Sequence, residues 1–195
     1  MRGNKIVLFV PLTVMIGLFI MGYMTLNQAE QVTNEELLNF VQLAAETENN
    51  NGETELRVNW QWGDFPSDGL RGAGFIEITP VDDAGEPVDF EIMDSRLLLT
   101  QSAEIIYERD QFEQGDEGIF VQFPNRADEN IYYGPLGEVT ITFSDFSSTA
   151  EYIEVSYYHT WEDSDITGQK GVSVRDILNE GSGKYWELQR LERLP

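Results

Sequence analysis

Hydrophobic and polar positions along this chain follow two different periods, and one stretch has no period at all. That stretch, residues 6–26 from Ile6 to Leu26, contains no charged residue. About 20 apolar residues cross a bilayer as a helix, with every backbone polar group satisfied inside the segment. The run therefore reads as a transmembrane helix, bent modestly by Pro11 in its first turns. Arg2 and Lys5 precede it, and the first acid, Glu30, follows it. The positive-inside rule then leaves residues 1–5 in the cytoplasm and the bulk of the chain outside. A cleaved signal peptide with a secreted product is the competing reading. Such a peptide usually has a shorter apolar core, about 7–15 residues, and ends in a small-x-small site. The best match here, Asn27-Gln28-Ala29, has asparagine where a small residue is needed.

A helical period follows. Thr33-Asn34-Glu35-Glu36 has the form of a capping box, with Val32 and Leu37 at the positions of a hydrophobic staple. Leu37, Val41 and Ala44 form one apolar stripe, flanked by Leu38 and Ala45. This predicts a short stalk helix from about Asn34 to Thr47, within a linker segment 27–52 that ends at Asn49-Asn50-Asn51-Gly52.

From Glu55 onward the period is two. Leu56, Val58, Trp60 and Trp62 alternate with polar residues. The same alternation recurs at Val88–Ile92, Ile119–Phe123 and Val139–Phe143. It recurs again along Ile153, Val155, Tyr157, His159 and Trp161. Residues 74–79, 97–99 and 104–108 are further strand candidates, and Tyr132-Tyr133-Gly134-Pro135 reads as a loop. Short strands with turn signals between them predict a mainly β domain over 53–195. Its expected form is an antiparallel β-sandwich, immunoglobulin-like or jelly-roll-like. The chain then turns helical at Ser173-Val174-Arg175-Asp176, with Val172 and Ile177 placed to staple that start, and Gly181 stops it. Tyr185, Leu188, Leu191 and Leu194 recur every third residue, as a last helix or a strand.

Charge narrows the partners. The chain carries 35 acids against 12 bases, and only three of the bases are lysines. Such a surface repels phosphate backbones, which argues against nucleic acid, and it repels anionic head groups too. Scarce lysine beside many acids suits a chain facing high salt or high pH, though an acidic surface also serves plain solubility. There is no cysteine, so there is no disulfide framework, thiol nucleophile or cysteine metal site.

Little in the sequence carries common catalytic chemistry. His159 is the only histidine and lies mid-strand among large apolar residues, and no GxSxG elbow accompanies it. It reads as a hydrogen-bonded core histidine. Gly181-Ser182-Gly183-Lys184 lacks the earlier glycine and the Ser or Thr of a phosphate loop. Calcium prefers several oxygens on a flexible loop. The acid clusters that contain Asp82 and Asp83, Asp110 and Asp116, and Asp163 and Asp165 are the candidates, and none matches D-x-D-x-D-G. Among aromatics, Trp60, Trp62 and Trp161 share faces with core positions, whereas Tyr152 and Tyr158 fall on the opposite face of their strand. With Tyr132 and Tyr133 they are the candidate ligand-binding residues. The expected role is non-catalytic, binding or supporting an envelope component or a membrane protein from the outer face of a membrane. A polysaccharide-binding module, a calcium-stabilised surface domain and a carboxylate-based hydrolase are the rivals.

Overall fold

Trp60 and Phe123 stack across the middle of the molecule with ring centroids 4.9 Å apart, and the two sheets that carry them make up most of the chain. The structure is a computed structural model. It describes residues 5–27, 31–50, 52–115, 117–161, 173–181 and 184–195, with the side chains of 5–8, 24–27 and 50 left aside. Two compact units result, 1–31 and 32–195.

The first unit contains one helix, α1 (Lys5–Asn27). Its described side chains, residues 9–23, are exposed on every face of the helix. Among the described residues no helix is long and apolar enough to cross a membrane.

The second unit is mainly β and antiparallel. A 3-10 turn (Leu37–Phe40) leads into β1 (Val41–Asn50) and β2 (Glu53–Trp62). There follow β3 (Ala73–Val81), β4 (Phe90–Gln101), β5 (Glu104–Arg109), β6 (Glu113–Gln114) and β7 (Ile119–Pro124). A small hairpin, β8 (Arg126–Asp128) and β9 (Ile131–Tyr133), precedes β10 (Leu136–Phe146) and β11 (Tyr152–Thr160). Last come α2 (Val174–Glu180) and β12 (Tyr185–Arg193). One five-stranded sheet has the order β1-β2-β10-β4-β5 and the other β12-β11-β3-β7-β6.

The inner faces of both sheets share one cluster of buried side chains, from Leu56, Val58 and Trp60 on one side to Ile76, Val121 and Tyr157 on the other. Two glycines make room for its central stack. Gly137 pairs with Trp60 and Gly74 with Phe123, and a Cβ at either glycine would fall inside the partner's ring. The second sheet is covered on its outer face as well. There α2 sets Val174 and Leu178 against Phe75, Phe120 and Tyr158, which explains why β3 is buried along nearly its whole length. Along one side the sheets are latched by their outermost strands. Arg190 Nε on β12 donates to the Leu43 carbonyl on β1 at 2.9 Å, and Thr47 Oγ1 on β1 donates to the Arg193 carbonyl on β12 at 3.0 Å.

Three expectations need correction. The stalk helix over Asn34–Thr47 is absent. The capping box does form, with Thr33 N–H donating to Glu36 Oε2 at 3.1 Å and Glu36 N–H to Thr33 Oγ1 at 3.4 Å. What it starts lasts only one 3-10 turn, because residues 41–50 pair along their length with β2. Leu43 is buried where the helical stripe had counted Ala44, which is exposed. Gly52, at φ +94° next to the paired Asn50 and Glu53, belongs to a hairpin connection rather than a helix stop. The separate strands expected at 88–92 and 97–99 are one twelve-residue strand, β4. Finally, Tyr132-Tyr133 ends a hairpin strand rather than lying in a loop. The C-terminal helix begins as the sequence predicts, with Ser173 Oγ accepting from Asp176 N–H at 3.2 Å; Val172 lies outside the described residues. The tail beyond it is a strand.

Candidate functional site: an arginine-lined cleft

Because β3 and β7 run antiparallel, the start of one lies beside the end of the other, and Ala73 pairs with Pro124. Arg71 sits just before the first of these residues and Arg126 just after the second. Arg109, the last residue of β5 in the opposite sheet, lines the same cleft as these two. Its Nη1 donates to the Gln122 carbonyl at 3.1 Å, its Nε to the Gln111 carbonyl at 3.0 Å, and its Nη2 meets Glu113 Oε1 at 3.2 Å. The three guanidiniums line a cleft of about 520 Å³, together with Gly72, Ala73, Tyr107, Gln122, Phe123 and Pro124. No carboxylate lies among these lining residues. Arg126 rests over the Tyr133 ring, 5.4 Å from its centroid. Neither Arg71 nor Arg126 makes an ion pair among the described residues.

A second, smaller cleft of about 290 Å³ lies over the outer face of β3 and β11, and Glu77, Glu117, Glu154 and Asp176 give it the opposite charge. Two of its acids, Glu77 and Glu154, are occupied. Glu77 Oε1 accepts from Val174 N–H at the start of α2 at 3.1 Å, and Oε2 accepts from the Tyr158 hydroxyl at 3.0 Å. Burial raises the Glu77 pKa, against the lowering pull of those two bonds. Arg175 at the rim is held by Glu187 through bonds of 3.1 and 2.6 Å, which raise its pKa further. Glu154 accepts from Gln189 Nε2 at 3.2 Å. A glycosidase-like pair needs two carboxyls free to exchange protons with a substrate. Glu77 has no such freedom while it holds both a helix N–H and a buried phenol.

His159 is fully buried, as the sequence suggests, and its ring lies within 5.8 Å of Trp62, Trp161 and Trp186. Asn34 Nδ2 donates to Asp68 Oδ1 and to the Gly69 carbonyl, both at 2.9 Å, so Asn34 Oδ1 is left to accept from His159 Nε2–H at 2.9 Å. The tautomer assigned from this network leaves Nδ1 to accept from Asn125 Nδ2 at 2.6 Å. Burial lowers the His159 pKa to about 3, against the opposing charge of Asp68. A neutral ring with both nitrogens bonded inside the core cannot serve a substrate as acid or base.

The residues singled out from the sequence are not gathered into one place. Asp82 Oδ1 accepts from Ala84 and Glu86 N–H, each at 2.9 Å, and so builds its own turn. Asp83 is exposed in that turn, and Asp110 is exposed beyond β5. Asp116, Asp163 and Asp165 lie outside the described residues. Among the described residues no group of three His, Cys, Asp or Glu side chains could hold a metal ion. Tyr132 is 43% exposed, with its ring edge-on to Phe65 at 5.4 Å. Tyr133 is half-buried beneath Arg126, and Tyr152 is half-buried at the far end of β11. Tyr158 is a correction. It was expected on the surface and is 1% exposed, because α2 covers the face of the sheet that alternation assigned to solvent. Trp60, Trp62 and Trp186 are buried and Trp161 half-buried, so the described tryptophans offer no flat sugar-stacking platform. Sequence reasoning missed the arginine cleft. The available signal was that Arg71, Arg109 and Arg126 each flank the end of a strand.

No family model matches the chain, and no curated protein matches it. A solved structure described as "AvmM Catalyzes Macrocyclization in Alchivemycin A Biosynthesis" is similar over 78% of this chain and 88% of that one, at 10% identity and a TM-score of 0.33. Likeness at that level carries no argument about function.

Proposed function

We propose that this chain is a membrane-tethered β-sandwich, facing away from the cytoplasm, that binds a component of the cell envelope without transforming it. What supports the tether is the sequence of the first unit: residues 6–26 carry no charge, and about 20 apolar residues are what a bilayer span takes. Arg2 and Lys5 before the run, with Glu30, Glu35 and Glu36 after it, favour an outward-facing body. Within the body, jelly-roll-like connectivity is favoured over immunoglobulin-like. Consecutive long strands alternate between the sheets, β2 in one, β3 in the other, β4 back in the first, then β7, β10 and β11 in the same manner. A binding role is supported by the state of the titratable groups. His159 and Glu77 are consumed by the fold, whereas two arginines of the larger cleft are not.

The tether is tested on the full chain in its native membrane. It should resist a carbonate wash, and a C-terminal tag should be digested by protease added from outside. Release of a processed soluble form beginning near Glu30 would overturn the tether and leave a secreted protein.

A further inference from the structure

We infer that the cleft between Arg71, Arg109 and Arg126 is a binding site for an organic oxyanion of about sugar size. This deepens the reading of residues 32–195 as a binding domain and does not depend on the tether.

The first argument is local charge against global charge. The chain holds 35 acids and 12 bases, yet three arginines line one cleft that no carboxylate lines. Repulsion from the rest of the surface is screened beyond about 8 Å at physiological salt, so an anion at the cleft mouth is governed by the guanidiniums nearest to it. The second argument is use. Arg109 is committed, since it bridges the two sheets through the Gln122 carbonyl and is partly neutralised by Glu113. Arg71 and Arg126 have no ion pair among the described residues, and both are exposed. The cleft therefore offers about two uncompensated positive charges, which suits a monoanion or dianion better than a polyanion. The third argument is size. A volume of about 520 Å³ is far more than a bare inorganic ion fills and falls in the range of small-molecule sites, about 300–1,000 Å³. The lining supplies what the rest of such a molecule needs. Tyr107 and Pro124 give apolar faces, and the Gln122 amide gives a donor and an acceptor. A guanidinium presents paired N–H donors that match carboxylate and phosphate alike, so the shared chemistry is the oxyanion.

The test is calorimetric titration of the full chain in detergent with four probes: digalacturonate, glucose 6-phosphate, a neutral disaccharide and inorganic phosphate. At least one of the two sugar oxyanions should bind, and which of them does so separates a carboxylate source from a phosphate source. Arg71→Gln and Arg126→Gln should each weaken that binding at least tenfold while the melting temperature stays at the parental value. Arg71→Lys should recover less than the full affinity, because a lysine cannot present the paired donors. Three outcomes would overturn the inference: no binding of either sugar oxyanion, equal binding of the neutral disaccharide, or equal binding of inorganic phosphate. Undiminished binding in the folded glutamine variants would overturn it too. None of these results touches the carbonate and protease results, so failure of the site and failure of the tether remain distinguishable.

Discussion

The two clefts differ less in how many charges they hold than in what those charges are doing. The acidic cleft gathers four carboxylates, but its most buried one, Glu77, starts a helix and anchors a buried tyrosine. Its one cation is locked to Glu187. The cationic cleft holds three arginines, of which one ties the sheets together and two hold nothing charged. A charged group with its bonding capacity already filled stabilises the fold and has little left for a ligand. A charged group without partners contributes little to stability, and that is the kind of group a ligand can use. Counting acids and bases would have ranked the clefts the other way.

Three measurements break or sharpen this contrast. The largest effect is expected at a reference point outside both clefts, the wholly internal His159. Its folded pKa, near 3, lies below the ordinary value of 6.5, so the unfolded chain takes up the proton first. The associated stability is complete above about pH 6.5 and is lost as the pH falls toward 3. Between pH 7 and pH 4 this amounts to about 3 kcal/mol, read from urea unfolding midpoints, and a folded His159→Gln variant should lack that part of the slope. If the acidic cleft is structural in the same sense, Glu77→Ala should cost about 2 kcal/mol of unfolding free energy, because two buried donors lose their acceptor. Arg71→Gln with Arg126→Gln should then stay within about 0.5 kcal/mol of the parent. Equal losses in the two clefts would erase the distinction. The smallest effect is a pH slope of opposite sign from Glu77. Burial raises its folded pKa, so its contribution is full below the ordinary carboxylate range and declines as the pH rises through the folded value. The difference in stability between the parent and Glu77→Gln should move in that direction, and a reversed slope would mean that hydrogen bonding, not burial, governs the group.

The parts of this architecture that were legible in the sequence are those where one face of a strand meets the core and the other meets water. Leu56 through Trp62 alternate without interruption, and the observed burial follows them residue by residue. Trp60 and Trp62 as core, and His159 as a bonded internal residue, follow from the same logic. Legibility fails where a second layer intervenes. Tyr158 alternates as a surface residue should, and only α2, folded back over the sheet after β11, buries it. It fails again at residues 37–47, where Leu37, Val41 and Ala44 satisfy a helical spacing while Val41, Leu43 and Ala45 satisfy a strand spacing. Pairing with β2 decides between them. The arginine cleft was hidden for a related reason. Arg71, Arg109 and Arg126 are distant in sequence and meet only because strand ends from both sheets converge at one edge.

The latch between β12 and β1 has a bearing on how the protein comes into being. Leu43 and Thr47 are among the first residues of the body to be synthesised, and their partners Arg190 and Arg193 are among the last. Until β12 arrives, the latch to β1 is missing and β11 lacks one of its two neighbours. An uncovered strand edge is a template for pairing with a foreign chain, and pairings between distant segments are slow to form. Completion of the body must therefore wait for β12, with the edge of β11 open to misassociation until that strand pairs with it.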